Sequence, residues 1–193
     1  MDTIDFRPAT AAVAALVRGV RDDQLADPTP CPAYTVADLL DHLNGLSLAF
    51  TLSARKEPLP GDGAPDVDGS RLAEGWREEL SGRLHALAEA WRDPAAYDGT
   101  TQAGPFEMPA GIAALVALDE VVVHGWDLAR ATGQPYAPGV EAVLASLAFA
   151  EGFEAPAGAA GGGPFGPPVP VPPGAPALDR LAGATGRDPA WTP

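Results

Sequence analysis

The sequence predicts an all-α protein organised around one long helix. Apolar residues recur at steps of three or four in five separate segments, the period of helices packed along one face. The stretch from Pro109 to Gly133, PAGIAALVALDEVVVHGWDLARATG, stays apolar for more than twenty residues, too long for a usual strand despite the β-branched run Val121 to Val123. Extended structure is expected only in a short connector around TTQAGPFEM. A helix apolar nearly all round is normally buried, so this stretch is expected at the centre of a bundle.

The first helix is read between Asp5 and Arg21, where Ala11, Val13, Leu16, Val17 and Val20 fall at helical intervals. DPTPCPAY, residues 27 to 34, has prolines at 28, 30 and 32 and forms a rigid connector. Thr35 reads as an N-cap with Asp38 three residues on, opening a second helix from Val36 to Arg55 along Leu39, Leu40, Leu43, Leu46 and Phe50. EPLPGDGAPDVDG, residues 57 to 69, is a loop of turn formers. Leu72, Trp76, Leu80, Leu84, Leu87 and Trp91 mark a third helix ending near Arg92, before Asp93 and Pro94. The central helix closes at Gly133 with Arg130 in its last turn, as helix ends favour. GVEAVLASLAFAEGF, from Gly139 to Phe153, is the fifth helix.

From Ala155 to Pro176 the chain is almost wholly Gly, Pro and Ala, which supports neither helix nor central strand; Phe165, Val169 and Val171 are its handles for packing as a cover. LDRLAGATG, from Leu178, has room for one or two final helical turns. The chain therefore divides into a bundle, residues 1–154, and a Pro/Gly-rich tail, residues 155–193, that packs on the bundle or extends from it.

At 193 residues the chain fits one domain with a substantial core. Twenty-six acidic against twelve basic residues give a net charge of −14, which disfavours nucleic acid and anionic lipid as partners. The opening MDTIDFRPAT lacks the basic and apolar regions of a signal peptide, and no uncharged apolar run is long enough to span a membrane; a cytoplasmic protein is expected. The one cysteine, Cys31, excludes an intrachain disulfide and every multi-cysteine zinc motif. Any metal must be held by His and carboxylate.

Glu120, His124 and Asp127 share one narrow face of the central helix. Buried, such groups need partners or a bound ion to offset lost hydration. Glu120 and His124 form an i, i+4 chelating pair, and His42, on the flank of the second helix's apolar stripe, supplies a third ligand from another helix. The plain alternative is three hydrogen-bonded core residues. Asp127 reads first as the acceptor that orients His124. His85 is read as solvent-exposed and Cys31 as a packed thiol rather than a nucleophile.

The pairing of TPCPAYTVADLLDHLNG with DEVVVHGWDLARATGQ resembles actinobacterial metal-binding proteins related to the N-terminal domain of mycothiol-dependent maleylpyruvate isomerase, within the DinB-like superfamily of four-helix bundles. The likeness covers about residues 5 to 135, and PFGPPVPVPPGAPALDRLAG is similar to the tails of shorter members. It implies a DinB-like four-helix bundle with an extra C-terminal helix and a Pro/Gly-rich tail. It also implies a divalent metal, zinc first and nickel second, on His42, Glu120 and His124, and a homodimer. The isomerase carries a second domain that helps complete its active site, whereas this chain continues after Gly133 as a helix and a tail.

Three functions follow as expectations. In the first, a metal with an open position activates a small-molecule thiol, mycothiol by resemblance, toward an electrophilic substrate, making a transferase or isomerase; Arg130 reads first as a helix-end charge and Trp126 as core or pocket wall, with thiol or substrate contact the alternative for both. In the second, the same site ionises water in a hydrolase, with Asp127 or Glu120 assisting proton transfer. In the third, the bundle binds a small ligand without turnover.

Overall fold

The computed structural model describes residues 3–59, 67–104, 106–153 and 165–193. Among these residues six α-helices and one strand pair follow in the order α1 (Arg7–Gly19), α2 (Val36–Arg55), α3 (Trp76–Ala90), β1 (Thr100–Ala103), β2 (Phe106–Pro109), α4 (Ala110–Thr132), α5 (Val140–Gly152) and α6 (Ala177–Ala184). The first four form a four-helix bundle in which α1 and α2 each lie against both α3 and α4. α5 packs on α4 and α6 on α5, so α4 meets neighbours on nearly every side. This is the all-α, DinB-like architecture expected from the helical periodicity and the resemblance.

Local chemistry explains the boundaries. The Thr35 hydroxyl accepts the Asp38 N–H at 3.2 Å while the Asp38 carboxylate accepts the Thr35 N–H at 3.0 Å, the reciprocal box expected at the start of α2. The other Asp38 oxygen takes the Gly69 N–H at 2.9 Å and ties the following loop to that cap. The proline connector folds back on itself through a bridge between Pro28 and Thr35, which brings Tyr34 beside α2 rather than away from it. α3 begins at Trp76, not Leu72, because Gly75 takes a left-handed φ of 82° that no helix can run through. α1 is likewise two residues shorter at each end than the segment from Asp5 to Arg21 in which it was expected.

The core is continuous. Phe6 stacks on Trp91 at 6.0 Å, and Tyr97 packs edge-on to Trp91 at 5.4 Å. The Tyr97 hydroxyl accepts the Ile4 N–H and donates to the Trp91 carbonyl, tying the segment before α1 to the turn after α3. Leu39, Leu40, Leu43, Leu84, Leu87, Leu118 and Leu128 are fully buried, each stabilising the fold by about 1.5–3 kcal/mol. In the connector where extended structure was expected, β1 and β2 pair antiparallel, with Thr100 opposite Pro109.

The tail returns to the bundle. Residues 165–176 carry no regular element, Phe165 packs against Phe149 and Phe153 of the α5 end, and the Val169 N–H donates to the Gly183 carbonyl at 2.9 Å. A Cβ on Gly183 would lie 2.7 Å from the Val169 carbonyl oxygen, so the close approach needs glycine. The expected boundary at 154/155, and residues 155–164 of the tail, lie outside the described residues. Among the described residues, no helix is long and apolar enough to cross a membrane.

Candidate metal centre

α2 presents His42 and α4 presents Glu120 and His124 across their shared seam. His42 Nε2 lies 3.4 Å and His124 Nε2 3.1 Å from the same carboxylate oxygen, Glu120 Oε2. The two imidazoles meet edge to face, centroids 4.8 Å apart, and one donor atom from each of the three residues falls within 4.8 Å of the others. A tetrahedral ion with bonds of about 2.0–2.1 Å sets its ligand atoms about 3.3 Å apart. The two histidine–carboxylate separations thus match chelating distances, and two imidazole nitrogens with one carboxylate oxygen are a donor set that divalent ions such as zinc and nickel accept. Protein ligands would then number three, leaving a position open.

Burial is graded across the cluster. His42 and Glu120 keep about a quarter of their side-chain surface, His124 is nearly enclosed, and Asp127 is fully buried. His124 Nδ1 sits 3.0 Å from Asp127 Oδ2. A donated Nδ1–H there turns Nε2 toward Glu120, so that Nε2 is the nitrogen free to ligate once its own proton is lost. The Tyr34 ring lies 5.4 Å from His42 and 6.4 Å from His124 and walls one side. Behind His124, a Cβ on Gly125 would meet the Tyr136 hydroxyl at 2.3 Å, so glycine lets Tyr136 cross α4 and donate to the Val122 carbonyl at 3.1 Å.

The charges are mutually adjusted. Burial alone would raise the Glu120 carboxyl, but hydrogen bonds from His124 and His42 outweigh it and hold the group well below the usual range. Burial would likewise lower His124, yet Asp127 and Glu120 hold its proton and push it up to about 9. Asp127 is held low by His124 and Arg187 against its own burial. Burial raises the Cys31 thiol, with the Asp127 charge adding to it, so Cys31 is a half-buried thiol and not a thiolate.

Other positions divide. His85 is exposed, as its helical position predicts. Trp126 and Arg130 meet each other, the guanidinium 5.7 Å from the ring centroid, and Arg130 donates to the Trp191 carbonyl of the tail. The described contacts of Arg130 are thus with Trp126 and with the tail. The sequence pattern does not single out Tyr34, Asp119 or Arg187. Tyr34 ends the proline connector, and only that connector's fold-back places it. Arg187 comes from the segment after α6 and holds Asp127 through two hydrogen bonds. Asp119 is buried with no partner for Oδ1 among the described residues, and burial with the neighbouring Glu120 charge pushes it up to about 8. Its one sequence signal is its place next to Glu120.

Fold and site together define a DinB-like helical bundle with a His, Glu, His donor cluster opening on the seam of two helices. The family model of the mycothiol maleylpyruvate isomerase N-terminal domain matches residues 6–129. The chain belongs to that family. Two Mycobacterium tuberculosis proteins, uncharacterized protein MT0763 of strain CDC 1551 / Oshkosh and uncharacterized protein Rv0738 of strain H37Rv, are each 30% identical to it over 179 residues, 93% of either chain. No solved structure matches.

Proposed function

We propose that the protein binds a divalent metal, zinc foremost, through His42, Glu120 and His124, and acts as a mycothiol-dependent transferase or isomerase. The observation that carries this reading is the convergence of two histidine Nε2 atoms on one carboxylate oxygen inside a segment that belongs to the isomerase-domain family. When bound, such an ion supplies Lewis acidity and lowers the pKa of a thiol or water in its open position.

The chain's own residues do the rest. Asp127 orients His124 and keeps its Nδ1 protonated. Tyr34 covers one side of the donors, and the quarter-exposed flank of His42 and Glu120 leaves a small thiol a way in. The reading keeps residues 1–154 as the metal-binding unit, the tail as its cover, small molecules as partners, and a homodimer in the cytoplasm.

Elemental analysis of protein purified without a histidine tag tests it, with His42→Ala and His124→Ala alongside. Near-stoichiometric zinc or nickel, absent from both variants, is expected, followed by turnover of an electrophile that needs added mycothiol and His124. Metal-free protein after reconstitution would overturn the metal; metal without thiol-dependent turnover would leave a binding protein, and ester or amide cleavage would favour hydrolysis.

A further inference from the structure

A deeply buried carboxylate–guanidinium pair, Asp127 with Arg187, lies beside the donor cluster. Asp127 is fully buried, and its two oxygens serve two different parts of the chain. Oδ2 accepts from His124 Nδ1 and from Arg187 Nη2, both at 3.0 Å, and Oδ1 accepts from Arg187 Nε at 3.3 Å. The guanidinium is itself fixed, because Nη1 donates to the Thr185 carbonyl at 2.8 Å and the Arg187 N–H closes the turn after α6 onto the Ala182 carbonyl at 2.8 Å. Only 12% of the Arg187 side chain is exposed.

A carboxylate with one client can rotate about its side-chain torsions to suit it. Gripped by a two-pronged guanidinium, it cannot, and the direction of the His124 ring is then set by where the segment after α6 sits. We infer that Arg187 is a positioning residue of the metal site: it locks Asp127, Asp127 aims His124, and docking of the segment around residues 177–191 is thereby coupled to metal affinity. The inference rests on the metal-binding reading above. It gives the tail a chemical task, where its composition alone offers only a cover.

Coupling of this kind is reciprocal: if the docked segment tightens metal binding by some factor, metal tightens docking by the same factor. Loss of an orienting partner to a ligating histidine typically weakens a site about 10–100-fold. Zinc affinity, read by competition with a chromophoric chelator, is therefore expected to fall about 10–100-fold in Arg187→Gln, with partial recovery in Arg187→Lys, which restores charge but not the fork. Arg180→Gln removes the 2.6 Å ion pair of α6 with Glu151, another tether of the same segment that touches no part of the site, and is expected to leave affinity within about twofold.

Hydrogen exchange on the unmutated chain gives a second reading that needs no variant. Zinc should slow amide exchange in residues 181–187 by the factor lost in Arg187→Gln. Wild-type protein that binds zinc with equal affinity in Arg187→Gln, or whose 181–187 amides ignore zinc, overturns this inference alone. Wild-type protein that binds no zinc overturns the metal reading and this inference with it.

Discussion

Raising the pH from 7 to 9 is expected to tighten zinc binding by about 50-fold, for a reason located in one side chain. A ligating imidazole must be neutral, and in the metal-free site the Asp127 and Glu120 carboxylates hold the His124 proton until about pH 9. At pH 7 the neutral form is about one part in a hundred, and at pH 9 it is one half, so the affinity gains about tenfold over the first unit and then flattens. A histidine at its ordinary 6.5 would give less than about a twofold change over the same range. The assay is chelator competition in untagged protein, corrected for the indicator's own protonation, with calorimetry in two buffers of different ionisation enthalpy counting the proton released. Melting temperatures should diverge in the opposite sense. Because the folded His124 value lies above the unfolded one, its contribution to the metal-free fold is complete below pH 6.5 and disappears as pH rises through 9. Metal-free protein therefore loses stability toward pH 9 while the zinc-induced gain grows. Affinity that is flat from pH 7 to 9, with no proton released, would refute the charge arrangement described for this cluster.

Three further outcomes follow from the structure. Asp119→Asn should raise the melting temperature at pH 8 more than at pH 5, since the folded carboxyl is raised to about 8 and its ionisation is penalised increasingly as pH climbs from about 4; equal gains at the two pH values would contradict this. Thr35→Ala removes one half of the cap box of α2 and is expected to cost about 1 kcal/mol in denaturant unfolding, with no change in the denaturant slope. Gly125→Ala drives a methyl group into the Tyr136 hydroxyl and Val13, and is expected to destabilise by about 1–3 kcal/mol; a neutral result would mean that Tyr136 can leave its place across α4.

The bundle and its donors were legible because both are periodic. α2 runs from Val36 to Arg55 as its cap and apolar stripe require, and Glu120 and His124 face one way because a helix places residues four apart on one side. His42 was legible as a residue on the flank of a stripe, though its distance to Glu120 depends on how α2 meets α4, which no single-helix pattern contains. The start of α3 was not legible from its apolar spacing, because Leu72 keeps the step while Gly75 breaks the backbone. Arg187 was invisible for a different reason: it lies in the irregular segment after the short helix α6, and its partner stands 60 residues away on α4. Arg130 reads in sequence as a helix-end charge, and in the fold that charge reaches the tail's backbone.

That 60-residue separation has a consequence for the order in which the chain is made. Translation at about 5–20 residues per second delivers Arg187 roughly 3–12 s after Asp127. His42, Glu120 and His124 all precede it, so the three donors leave the ribosome before the cation that restrains their orienting carboxylate. During that interval Asp127 has only His124 to balance its charge, and solvent still reaches the face that Arg187 will later cover. The nascent bundle is therefore open to ions in the seconds before its last turn folds down.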